Sequence, residues 1–237
     1  MTFYLIGLGL NLESISLEAL EILKNCGKIY LEAYTVDFPY ETEKLGGIIG
    51  ARIIPLTRTM VEMEIFVSEA KNKDIALLVY GSPLAATTHI SLVLKCKKEG
   101  IKCRIMHNAS ILEAVGETGL QIYKFGKIAS MPAWKEKYKP SSFIDVIKDN
   151  LKIKAHTLIL VDIGLNYGEA LKQLEESASN KIKLDKIVVC SRLGTNEGKI
   201  YYETLDELAG REVYAPFCFI IPSKLHFLEE EALKSLE

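Results

Sequence analysis

Short apolar runs alternate along this chain with longer segments in which apolar residues return every three or four positions. The runs 3–6, 29–33, 52–55 and 75–80 are rich in Ile, Leu, Val and Tyr and bounded by turn residues, which predicts buried strands. Between them, 16–24, 60–70 and 87–97 carry the helical period. Such alternation predicts a mainly parallel sheet covered by helices.

The pattern then starts again. After a strand at 101–106 and a helix beginning near Ser110, strand-like runs recur at 157–162, 186–191 and 217–222, with helices at 143–150, 169–178 and 225–236. This predicts two α/β domains, 1–109 and 110–237, joined near 107–110 without a Gly/Ser-rich linker. The segment 123–142 (YKFGKIASMPAWKEKYKPSS) lacks periodicity and holds five lysines, four aromatics and two prolines. It reads as a long ordered loop, either functional or a solvated connection.

Composition narrows the possibilities. With 237 residues and 49% hydrophobic content the chain can bury a substantial core. A formal charge of −2 provides no general attraction to nucleic acid or to an anionic membrane. The five cysteines include no C-x-x-C pair and have no histidines at zinc spacing, so neither a disulfide framework nor a structural metal is expected. No apolar stretch approaches the twenty residues of a membrane span, and the opening apolar run lacks the basic flank of a signal peptide. The expected location is the cytoplasm.

Three segments follow predicted strands and carry candidate chemistry. Gly7-Leu8-Gly9-Leu10 follows the first, where its glycines permit either close approach to a ligand or simply a tight turn. A dinucleotide fingerprint would need glycine at position 12, where Leu12 stands. Gly81-Ser82-Pro83-Leu84-Ala85-Ala86-Thr87-Thr88-His89 lies at the carboxyl end of another strand, with Thr87 and Thr88 as natural helix caps. His107-Asn108-Ala109-Ser110-Ile111 repeats the arrangement, with Ser110 as the cap. No G-x-S-x-G, H-E-x-x-H or Walker sequence is present, and four scattered histidines do not form a metal centre.

Taken together, YLIGLGL, GSPLAATTH, HNASI followed by AVGETGLQIYKFGK, and PSKLH (222–226) occur in the order found in diphthine synthases and span nearly the whole chain. The sequence resembles that family. The resemblance implies the tetrapyrrole methylase type of fold, two α/β domains with S-adenosylmethionine in the cleft between them, usually in a homodimer. It puts cofactor-binding positions at Leu10, Ser82, Ala85, Ser110, Ile111, Val161, Leu193 and His226. It implies methylation of the amino group of 3-amino-3-carboxypropyl-histidine on translation elongation factor 2, giving diphthine in diphthamide biosynthesis and releasing S-adenosylhomocysteine. No catalytic side chain and no metal are implied, because the sulfonium is already activated and positioning is the main requirement. The lysine- and aromatic-bearing stretch 123–138 is the candidate docking surface for the protein substrate.

One departure from the family stands out. Its members carry aspartate where this chain has Ser82, so a charge-assisted contact to the cofactor's ammonium group is replaced by a hydroxyl or by main chain. Other readings are a same-fold methylase acting on a corrinoid precursor or on ribosomal RNA, a non-catalytic nucleotide-binding relative, and a dehydrogenase.

Overall fold

The structure, a computed structural model, describes residues 1–236. The chain divides into two compact units between Leu112 and Glu113. The first contains β1 (Thr2–Gly7), α1 (Leu17–Leu23), β2 (Lys28–Glu32), α2 (Glu43–Ile49), β3 (Ile53–Leu56), α3 (Arg58–Glu62), β4 (Ile75–Val79), α4 (Ile90–Glu99) and β5 (Lys102–Met106). Its five strands form a wholly parallel sheet in the order β3-β2-β4-β1-β5. All of β4 and nearly all of β1 is buried, as their continuous apolar sequences require when helices cover both faces. Alternate residues supply the two faces. Phe3, Leu5, Leu77 and Val79 pack into one core, and Ile6, Ala76 and Leu78 into the other.

Two predicted helices differ from expectation for local reasons. The helix read at 60–70 is broken: α3 ends at Glu62, Glu64 adopts a left-handed conformation (φ 56°), and a 3-10 turn follows over Ile65–Lys71. Met63 and Ile65, which extended the apolar period, are 62% and 69% exposed rather than in the core. The helix read from residue 87 starts at Ile90, because the side chains of Thr87 and His89 bond back to the preceding loop.

A short helix, α5 (Ile111–Ala114), carries the division between the units. The second unit then contains β6 (Ala129–Met131), α6 (Ser142–Lys152), β7 (Thr157–Val161), α7 (Tyr167–Ala178), β8 (Ile187–Ser191), β9 (Lys199–Glu203), α8 (Leu205–Leu208), β10 (Phe217–Ile221) and α9 (Phe227–Lys234). Its sheet runs β6-β7-β10-β8-β9 and is mixed: β6 lies parallel to β7, while the other neighbours are antiparallel. Phe143, Ile147, Leu171, Leu174 and Phe219 anchor its core. The segment read as one long loop holds a 3-10 turn (Ile122–Lys124) and the edge strand β6. Beyond β6 the loop folds on itself, with Trp134 donating to the Pro140 carbonyl at 3.0 Å and Lys139 lying 4.7 Å over its ring. No helix among the described residues is long and apolar enough to cross a membrane.

Asn150, buried on α6, fastens the approach to β6. Its Oδ1 accepts from the Lys127 N–H at 2.9 Å, and its Nδ2 donates to the Lys127 carbonyl at 2.8 Å and to Thr157 Oγ1 at 2.9 Å. Asn150→Ala removes all three bonds and leaves the buried Thr157 hydroxyl without this partner. It is expected to destabilise the protein by about 2–3 kcal/mol, seen as a lower urea midpoint without loss of secondary structure.

Candidate functional site

Three loops meet at the carboxyl edge of the parallel sheet, and backbone packing decides how. Leu8 N–H donates to the Val79 carbonyl at 2.8 Å, and Gly9 and Gly81 then exchange both backbone hydrogen bonds, at 3.1 and 2.9 Å. Both glycines have positive φ, 73° and 71°. A Cβ on Gly7 would lie 2.6 Å from the Gly81 carbonyl oxygen, and one on Gly9 would lie 2.4 Å from Ser14 Cβ. The first two glycines therefore serve loop against loop, which accounts for them without a ligand.

Asn108 adds the third loop. Its Nδ2 donates to the carbonyls of Gly7 (3.1 Å) and Ser14 (2.9 Å), and its Oδ1 accepts from the Ala109 N–H (2.8 Å). Tyr80, against Phe38 and Tyr40, donates its hydroxyl to the Leu10 carbonyl at 2.9 Å. The Gly81–His89 run is held from within: Thr87 Oγ1 donates to the Pro83 carbonyl at 2.7 Å, and the His89 ring lies 3.1 Å from the same oxygen through Nδ1. Burial lowers the His89 pKa, and the Pro83 carbonyl only partly opposes this. The ring is thus neutral, with Nδ1–H as the donor. Between these ties Ala86 takes a left-handed conformation (φ 55°), a strained choice for alanine that its neighbours impose.

Five of the eight sequence-predicted positions belong to this edge. Leu10 follows β1, Ser82 and Ala85 follow β4, and Ser110 and Ile111 follow β5. These strands are adjacent, so the fold gathers residues separated by a hundred positions. Ser82 Oγ lies 3.4 Å from His107 Nδ1, and Ser110 Oγ accepts from the Leu112 N–H at 3.2 Å in the expected capping arrangement.

The other three lie in the second unit. Val161 ends β7 and Leu193 follows β8, and these strands run in the same direction. His226 follows β10, which runs the opposite way, with Ile221 opposite Thr157 at the start of β7. The strand length, about 13 Å for five residues, separates that edge from the one where Val161 and Leu193 emerge. Within this unit the sheet brings Val161 and Leu193 to one edge and leaves His226 beyond the other.

His226 is positioned by a buried carboxylate that the sequence did not announce. Glu229, fully buried on α9, accepts from the His226 N–H (2.7 Å), the Gln121 N–H (2.9 Å), the Lys124 ammonium and the His156 ring Nε2 (3.2 Å). His156 Nδ1 in turn accepts from the Ser223 N–H at 2.9 Å, which fixes the proton on Nε2. Lys124 also donates to the Lys224 carbonyl at 2.9 Å. The YKFGK and PSKLH segments are therefore parts of one network, and Lys124 is committed to it.

Burial by itself would raise the Glu229 pKa. The bonds from Lys124, from the His226 and Gln121 N–H groups and from His156 outweigh it and hold the carboxyl at about 2. Because the folded pKa lies below the unfolded one, near 4.5, this stabilisation is complete above pH 5 and disappears as pH falls from about 5 to 2. In that interval the wild-type protein is expected to lose stability more steeply than Glu229→Gln, as read from urea midpoints at each pH. Parallel slopes would mean the carboxylate is not held in this way.

Comparison with known proteins gives these segments a context. Residues 2–209 match the family model of tetrapyrrole (corrin/porphyrin) methylases. The chain is 41% identical to the diphthine synthase of Methanocaldococcus jannaschii over 250 residues, covering 98% of this chain and 97% of the relative. It is 36% identical to the diphthine methyl ester synthase of Schizosaccharomyces pombe, covering 98% and 93%. A crystal structure of diphthine synthase superposes with a TM-score of 0.91 at 32% identity, covering all of this chain and 96% of that one.

Proposed function

This chain belongs to the tetrapyrrole methylases and, among them, to the diphthine synthase family, and from that membership we propose that it methylates the amino group of 3-amino-3-carboxypropyl-histidine on translation elongation factor 2. The methyl donor is S-adenosylmethionine and the products are diphthine and S-adenosylhomocysteine. A cytoplasmic homodimer is the form this reading expects. The observation that carries it is the gathering of the YLIGLGL, GSPLAATTH and HNASI segments, dispersed in sequence, at one carboxyl edge.

The dehydrogenase reading is disfavoured by the sheet itself. In a dinucleotide-binding fold the first strand lies between the second and fourth, whereas here β4 separates β2 from β1. The Gly7 and Gly9 positions are also filled by neighbouring loops rather than left open to a pyrophosphate.

The side chains at the proposed cofactor positions suit S-adenosylmethionine. In the first unit Leu10, Ala85 and Ile111 offer apolar surface for the adenosyl group, while Ser82 and Ser110 are polar groups for its amino acid and ribose. When bound, the cofactor supplies an electrophilic methyl group on sulfonium. The protein's work is then orientation: loops fixed by the Gly9–Gly81 bridge and Asn108 need little rearrangement on binding, which favours a reactive alignment.

Incubation with S-adenosylmethionine and elongation factor 2 carrying the aminocarboxypropyl histidine should add methyl-sized mass increments to that histidine peptide. Binding of S-adenosylmethionine without any increment would reject this acceptor. A second prediction concerns Ser82, whose hydroxyl, among the described residues, makes one long contact, to His107. Ser82→Asp, which restores the family's carboxylate, should tighten S-adenosylmethionine binding by roughly tenfold, the value of one charge-assisted bond, in isothermal titration calorimetry. An unchanged dissociation constant would show that main chain at position 82 already makes the contact.

A further inference from the structure

The lysine- and aromatic-bearing stretch 123–138 divides into two parts with different duties. Its first part is internal to the fold: Lys124 bonds to Glu229 and to the Lys224 carbonyl, and 129–131 form β6. Its far end is not. Lys135 and Tyr138 exchange both backbone hydrogen bonds, at 2.9 and 3.0 Å, so Glu136 and Lys137 are the tip of a two-residue hairpin. Every residue from Lys135 to Lys139 is exposed, Tyr138 by 62%. Among the described residues, the Lys135 and Lys137 ammonium groups and the Tyr138 hydroxyl have no hydrogen-bond or ion-pair partner.

The hairpin is exposed, yet its base is fastened from both sides. Gln173, buried on α7, donates from Nε2 to the Pro132 carbonyl at 2.8 Å and accepts the Trp134 N–H on Oε1 at 3.2 Å. Asp162 Oδ2 accepts the Ala133 N–H at 3.1 Å. Across the neck, the Trp134 indole donates to the Pro140 carbonyl and its ring lies under the Lys139 ammonium. A connection that only had to reach from β6 to α6 would leave these backbone groups to water. Here a buried amide and the chain's one tryptophan hold an exposed turn in a single shape, which lowers the ordering cost of binding through it.

Its place in the second unit and its charge indicate what it meets. Met131 lies opposite Val161 in the parallel pairing of β6 with β7, and the Asp162 N–H donates to the Met131 carbonyl at 3.0 Å. The hairpin is thus rooted at the edge where Val161 and Leu193 emerge, the two proposed cofactor positions that this unit brings together. Between 134 and 139 there are three lysines and one glutamate, a local excess of positive charge on a chain whose formal charge is −2. That combination favours an acidic segment of another protein over nucleic acid, which the chain as a whole would repel.

We propose that the hairpin Trp134–Lys139 is the docking element for the protein that carries the methyl acceptor, receiving an acidic segment of that protein against Lys135 and Lys137 with Tyr138 packed beside it. The inference rests on the functional reading above and names the chemistry of the partner at that site. Exposed charges of this kind act on encounter and are screened by salt, so the hairpin governs how readily the acceptor protein is captured and takes no part in methyl transfer itself.

The test measures methyl transfer to elongation factor 2 carrying the aminocarboxypropyl histidine, for wild type, for the double variant Lys135→Glu/Lys137→Glu and for Glu136→Lys. The double variant should raise KM for the factor by about 10-fold, and Glu136→Lys, which removes the one opposing charge, should lower it by about threefold. In both, kcat at saturating factor, S-adenosylmethionine affinity and melting temperature should stay at the wild-type values. Added sodium chloride should raise the wild-type KM and narrow the difference between the variants. Trp134, the only tryptophan, gives a direct reading of docking, since its emission should change when the factor is added. A KM that is unmoved in both folded variants would overturn the docking assignment, and an emission change with an RNA oligonucleotide but none with the factor would overturn the choice of a protein partner. Wild-type protein that binds S-adenosylmethionine but methylates no aminocarboxypropyl histidine would instead overturn the functional reading from which the assignment starts.

Discussion

The first unit depends on a contact between backbones that no side chain can enter. Gly9 and Gly81 exchange two hydrogen bonds, and Gly7 lies so close to Gly81 that a single added carbon would collide with its carbonyl. This fixes the loop after β1 against the loop after β4. Asn108 then joins the loop after β5 to both Gly7 and Ser14. Loops at strand ends are ordinarily the mobile part of an α/β domain, yet here three are fastened to one another by contacts within the protein. That arrangement suits chemistry whose rate depends on alignment, since the ordering cost is met in folding rather than in binding.

Two buried glutamates show how the same side chain serves opposite ends. Glu229 has four donors, one of them a lysine, and its pKa is driven down although burial works against it. A buried ion pair contributes little unless its remaining lone pairs are satisfied, and this one satisfies them by joining the 121–124 turn to the start of α9. The same bonds define the backbone at His226. Glu32 is held by the Thr35 hydroxyl and by the Tyr34 and Thr35 backbone, yet burial moves its pKa upward. Glu229 is a finished structural joint. Glu32 closes the turn after β2 within the first unit.

Much of the fold was legible because the strands are buried on both faces. β1, β4, β7, β8 and β10 are unbroken apolar runs, and their spacing reveals both halves of the molecule. The elements missed are those in which burial leaves a weak pattern. β6 is three residues at a sheet edge, β9 is half-exposed along its length, and α2 contains Gly46 and Gly47. The helix read at 60–70 failed because exposed Met63 and Ile65 imitate a buried face. At the site, the motifs located the strand ends, but not the partners that hold them. Asn108 bonds to Gly7 across 101 positions and Lys124 to Glu229 across 105, and neither pairing leaves a periodic trace.

The order of strands along the carboxyl edge also separates the loops that leave it. The proposed donor positions of the first unit lie on the loops after β4, β1 and β5, while the turn containing Glu32 follows β2. A change in one loop that leaves the backbone bridge intact has little effect on the others, since groups that share no partner contribute nearly independently. Serine at position 82 illustrates this freedom. Its hydroxyl belongs to no part of the Gly9–Gly81–Asn108 framework, so the family's aspartate can be replaced without loosening the loops that carry it. The glycines have no such latitude, because their role is to be absent from space that a neighbouring backbone occupies. Variation within the family is therefore expected to fall on side chains that face ligands, and constancy on the residues that let the three loops touch.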